Sequence, residues 1–147
     1  MRRRSLWTVA LGALLAVVDL AVKAAVATPA WSYHPRSGAW VALTLTVVVG
    51  CLALALVPST AVALAAGVTA GGAAGNLASF AVSGLGVENP LVIRGSAAGV
   101  AFNLADVYFL TGIVLLMVTT IAFSIRNRER LPPSRGLAAA LVDRFRA

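Results

Sequence analysis

The run TAVALAAGVTAGGAAGNLASFAV, residues 60–82, governs how the rest of the chain is read. It carries no charge, and it is long enough to cross a bilayer core, which takes about 20 helical residues. Gly67, Gly71 and Gly75 recur every fourth residue, so they share one helix face. A stripe of small residues in a membrane helix lets another helix approach closely. Asn76 follows the stripe and Ser79 continues it, so polar groups gather at the end of the run.

Three further apolar runs surround it: Leu6 to Ala27, Trp40 to Val57, and Leu104 to Ile125. Backbone polar groups in lipid must bond within their own segment, so each run predicts a helix. The expected fold is an all-α integral membrane protein, a bundle of four transmembrane helices. Composition agrees: of 147 residues 60% are apolar and 12% charged, against about 25% charged in soluble domains. Arg2, Arg3 and Arg4 precede the first run as they would in a signal peptide. Its length, its internal Asp19 and Lys23, and the lack of a convincing cleavage site predict that it is retained.

Basic residues set the expected orientation. Arg2, Arg3 and Arg4 lie before the first run, and Arg126, Arg128, Arg130, Arg135, Arg144 and Arg146 follow the fourth. The longer loops hold only Arg36 and Arg94, and Pro58-Ser59 makes the remaining connection. The positive-inside rule places both ends in the cytoplasm. Residues 28–39 and 83–103 then lie outside, the second long enough to form a cap or cradle over a cleft in the outer leaflet. The net charge of +7 belongs to topology and anionic lipid. Because it sits at the chain ends without interleaved aromatics, it does not indicate nucleic acid. The chain divides into a basic cytoplasmic segment 1–5, a membrane domain 6–130 and a cytoplasmic tail 131–147. In the tail, Leu137, Leu141 and Phe145 recur every fourth residue, as in an interfacial amphipathic helix; a disordered tail is the alternative.

Cys51 is alone within an apolar run and reads as a small buried hydrophobe. His34 is the one histidine, in a polar loop, and no metal site is expected. Charged and polar residues inside membrane runs are costly and draw the eye first. Asp19 and Lys23 are four apart and can pair on one helix face. Such a pair either fixes helix packing or takes part in chemistry. Asp106 enters the fourth run from the outside, just after Asn103, while Asn76 and Ser79 approach the outside on the third. Polar groups of three helices therefore converge at one depth.

The set Asp19-x-x-x-Lys23, Gly72-Ala-Ala-Gly75-Asn76 and Phe102-Asn103-Leu104-Ala105-Asp106, followed by Gly112, resembles lipoprotein signal peptidase (signal peptidase II) over about residues 10–125. The resemblance implies a bacterial inner-membrane aspartic protease fold that cuts signal peptides from diacylated prolipoproteins, without metal or organic cofactor. That chemistry uses two carboxylates sharing a proton, one activating water and one supporting the developing oxyanion. By the family pattern one aspartate is Asp106. The other belongs in an Asn-x-x-Asp-Arg motif, where this chain has Ser79 and Phe80. Two loop motifs depart as well: Arg36-Ser37-Gly38-Ala39-Trp40 stands where the family reads like Asn-x-Gly-Ala-Ala-Phe, and Asn89 where it has aspartate.

The expected protein is thus a signal-peptidase-II-like membrane protein, catalytically impaired, that binds a lipidated peptide, lipid or membrane partner in the old cleft. Asp106 and Ser79 occupy the catalytic positions; Asp19, Lys23, Asn76, Asn103 and Gly75 line the cleft or hold it together. One alternative is an active peptidase with altered machinery. Asp19 then partners Asp106, or Ser79 acts as nucleophile with Lys23 as base. The other is a small structural membrane subunit packed through the glycine stripe.

Overall fold

A computed structural model describes residues 2–94 and 99–129 of the chain. Four helices dominate it: α1 (Arg2–Ala25), α2 (Gly38–Leu54), α3 (Thr60–Ser83) and α4 (Leu104–Arg126). Three of them, α1, α3 and α4, are long and apolar enough to cross a membrane. The fourth, α2, has 17 residues, a rise of about 26 Å. It stops short of the expected Val57 because Pro58 disfavours helical backbone in the residue before it. The chain tightens first, with Leu56 and Val57 amides bonding the carbonyls three residues back, Ala53 and Leu54.

Arg2 to Ser5 form the opening of α1, since arginine is a good helix former and nothing there breaks the helix. The amphipathic helix expected in the tail, 131–147, lies outside the described residues.

The bundle is built on α3, which packs against each of the other helices. The parallel neighbour α1 meets it through glycine. A Cβ at Gly67 would lie 3.0 Å from the Thr8 carbonyl oxygen, and one at Gly71 2.9 Å from that of Gly12. On its other side the antiparallel α4 crosses at Gly72, where a Cβ would strike the Ala105 carbonyl and lie 2.5 Å from the Phe109 amide. Gly112 of α4 rests on Thr69 just as closely. The expected stripe of Gly67, Gly71 and Gly75 lies along α1, and Gly72, outside the stripe, adds a second contact face. Gly67 and Gly71 serve α1, Gly72 serves α4, and Gly75 faces both Asp19 and Ala105.

What is buried is small. Ala55, Ala63, Ala65, Ala66, Ala70, Ala73 and Ala105 form most of the apolar interior, with Val62, Val87 and Cys51. Large side chains such as Leu14, Leu43, Leu110 and Met117 point outward. A soluble protein does the reverse. Lipid is as apolar as leucine, so a membrane bundle gains from close backbone contact rather than from hiding large groups.

The loops carry structure that an all-helical expectation omits. A single 3-10 turn (Ala30–Ser32) leads into β1 (Tyr33–His34), which pairs antiparallel with β2 (Val87–Glu88). Next, β3 (Leu91–Arg94) pairs antiparallel with β4 (Gly99–Phe102). The chain is mostly helical, as expected of an all-α membrane protein, and two short strand pairs are added in its loops. The β1·β2 pair ties the two long loops together over the C-terminal end of α3. That helix stops at Gly84, whose φ of 68° is the left-handed C-cap position glycine takes without strain.

Candidate functional site

Five of the residues singled out from sequence meet where α4 begins. Its first turn is capped from within: Asn103 Oδ1 accepts the Asp106 amide at 2.8 Å, and Asp106 Oδ2 accepts the Asn103 amide at 3.3 Å. This reciprocal arrangement satisfies two of the orphan amides of a helix start. A third amide, that of Ala105, donates 2.8 Å across to Asp19 Oδ1 on α1. One helix start thus holds two carboxylates, and its positive dipole end favours both.

Asp19 is fully buried, with Lys23 Nζ 2.6 Å from its Oδ2. Its charge is therefore matched inside the bundle, as burial demands. Lys23 also donates to Asn76 Oδ1 at 3.4 Å. Asn76 links the rest: its Oδ1 accepts from Asn103 Nδ2 at 2.9 Å, and its Nδ2 donates to Asp106 Oδ1 at 2.8 Å. Asn103 Nδ2 reaches further, to the Glu88 carbonyl at 3.0 Å and to Asn89 Oδ1 at 2.6 Å. Asn89 in turn donates to His34 Nδ1 at 2.9 Å. The polar network runs from α1 through α3 and α4 into the β1·β2 loops. Gly75 makes room for it, since a Cβ there would sit 3.0 Å from Asp19 Oδ2.

Ser79 stands apart from the carboxylates. It is buried, and its Oγ accepts the Glu88 amide at 3.1 Å. It therefore anchors β2 to α3. Among the described residues no hydrogen bond joins Ser79 to Lys23 or Asp106, and none joins Asp19 to Asp106. Lys23 Nζ is instead engaged by Asp19 Oδ2 and Asn76 Oδ1.

Beside this network lies a cavity of about 210 Å³, lined by Arg36, Trp40, Thr44, Ala73, Asn76, Asp106 and Phe109. Among the described residues Asp106 is its one carboxylate and Arg36 its one cation. The Arg36 guanidinium carbon sits 5.1 Å over the Trp40 ring, within cation–π range. Trp40 meets Phe80 edge-on at 6.0 Å between centroids. Phe80, at the position where arginine was expected by resemblance, thus supports the aromatic platform under Arg36. The cavity walls Thr44, Ala73 and Phe109 were not singled out from sequence, while Arg36 was noted as a loop charge and, with Trp40, as an end of a departed loop motif. A cation in a loop otherwise poor in basic residues was the available signal. The apolar walls had none, because they look like any other lipid-facing or core residue. No protein-family model matches the chain, and no curated protein matches it significantly.

Proposed function

We propose that the chain is a signal-peptidase-II-like protein of the bacterial cytoplasmic membrane that binds a lipidated peptide but does not cut it. All four helices span in this reading, α2 with its flanking residues, and both ends lie in the cytoplasm. The cavity beside Asp106 then opens at the outer leaflet. The observation that carries the proposal is the single carboxylate on that cavity. Asp106 accepts from Asn76 and Asn103, while the position that should supply the second acid holds Ser79, bonded to Glu88. One carboxylate cannot both take a proton from water and present one to the carbonyl oxygen. Losing an acid or base of this kind removes about 10²- to 10⁴-fold in rate. The cavity keeps what binding needs: a cation, an acceptor, an amide and aromatic walls.

A diacylglyceryl-cysteine prolipoprotein peptide, offered to the purified protein in detergent, should bind and raise its unfolding temperature without release of the signal peptide. Arg36→Gln should weaken that binding. The double change Ser79→Asp, Phe80→Arg should gain measurable cleavage. Cleavage by the unaltered chain at the rate of an active peptidase overturns the loss of activity; absence of binding overturns the substrate class.

A further inference from the structure

A second cavity, of about 450 Å³, lies at the opposite end of the bundle and is lined by Arg3, Arg4, Trp7, Thr60 and Leu64. It sits where the starts of the parallel helices α1 and α3 come side by side, joined by the Thr8 hydroxyl donating 2.8 Å to the Ala63 carbonyl. Arg4 Nε is buried there and has no hydrogen-bond partner among the described residues. Among the described residues no carboxylate lies within ion-pair distance of Arg3 or Arg4. At the start of α3, Ser59 Oγ takes the Val62 amide at 3.3 Å. The Thr60 and Ala61 amides are left without an intrahelical acceptor. Two arginines and a threonine thus line one concave space beside the start of α3, a donor-rich setting that suits an anion.

The apolar part of the wall defines which anion. Trp7 and Leu64 are exposed, and Leu6 beside them more so. Tryptophan with arginine at the end of a membrane helix marks the headgroup level. Arg3, Arg4 and Thr60 lie at the helix starts, and Trp7 and Leu64 lie one turn further along α1 and α3. We propose that this cavity is a binding site for the phosphate of an anionic phospholipid, gripped by Arg4 and Arg3 against the start of α3, with an acyl chain along Trp7 and Leu64. It is separate from the Asp106 cavity and does not depend on what that cavity binds.

The test measures lipid retention by native mass spectrometry of the purified protein, offered phosphatidylglycerol or phosphatidylcholine in equal amounts. The unaltered chain should keep phosphatidylglycerol in preference. A direct hydrogen bond to a charged group is worth about tenfold or more, so Arg3→Gln with Arg4→Gln should lower retention by at least about tenfold. Arg126→Gln with Arg128→Gln, at the same end but outside the cavity, should leave it nearly unchanged. Circular dichroism of each variant confirms that the helices form. Equal loss in both pairs would mean diffuse surface charge and overturns the site. So does equal retention of the two lipids. Displacement of the lipid by millimolar inorganic phosphate would show a free-phosphate site and overturns the assignment to lipid.

Discussion

Lys23 and Asp19 show how little freedom the buried polar residues have. Their ion pair is almost fully enclosed, and each member has a second partner, Asn76 for the lysine and the Ala105 amide for the aspartate. Removing one charge of a buried pair leaves the other uncompensated, at a cost of about 3–5 kcal/mol. Lys23→Met should therefore destabilise the protein by about that amount in a denaturant titration in detergent. Adding Asp19→Asn should recover part of the loss, because the asparagine oxygen still accepts the Ala105 amide without a charge. Simple additivity of the two changes would show that the pair is not coupled. Which polar residues would be buried was legible at this scale, from their cost in lipid. Their partners were not: the Asp19 to Ala105 contact spans 86 residues, and a backbone amide has no signature in a side-chain pattern.

At the scale of elements, the helix glycines divide into those that touch another helix and those that do not. Gly72 is pressed against the α4 backbone, whereas a Cβ at Gly50 of α2 would meet nothing within 4 Å. Gly72→Ala should force α3 and α4 apart and cost several kcal/mol, in the manner of an overpacked core. Gly50→Ala should be neutral or stabilising by up to about 1 kcal/mol, as alanine is the better helix former. Unfolding midpoints of the two variants in one detergent make the comparison, and equal losses would contradict the packing described. A period of four was enough to find the stripe. The side of α3 that faces each partner depends on crossing geometry, so which helix would meet the stripe and which would meet Gly72 could not be read beforehand. Likewise the strand pairs β1·β2 and β3·β4 are two to four residues long, too short for an alternating pattern to stand out.

For the whole molecule the orientation is the measurable quantity. With Cys51 replaced by alanine, a cysteine at Ala27, exposed just beyond α1, should react with a membrane-impermeant maleimide in intact cells. A cysteine at Arg128, exposed beyond α4, should react only after lysis. The reverse pattern would invert the bundle and move the Asp106 cavity to the cytoplasmic side. By itself the sequence determined the helical spans and the residues too polar to be idle within them, because lipid penalises unpaired charge and backbone wherever they occur. Tertiary structure decided the rest. It turned Asp19 and Asn103 inward as the caps and links of α4, set Ser79 under Glu88, and left Asp106 facing Arg36 across the cavity. Those outcomes depend on which atoms arrive within 3 Å of one another, and that is settled only when α1, α3 and α4 close on their glycines.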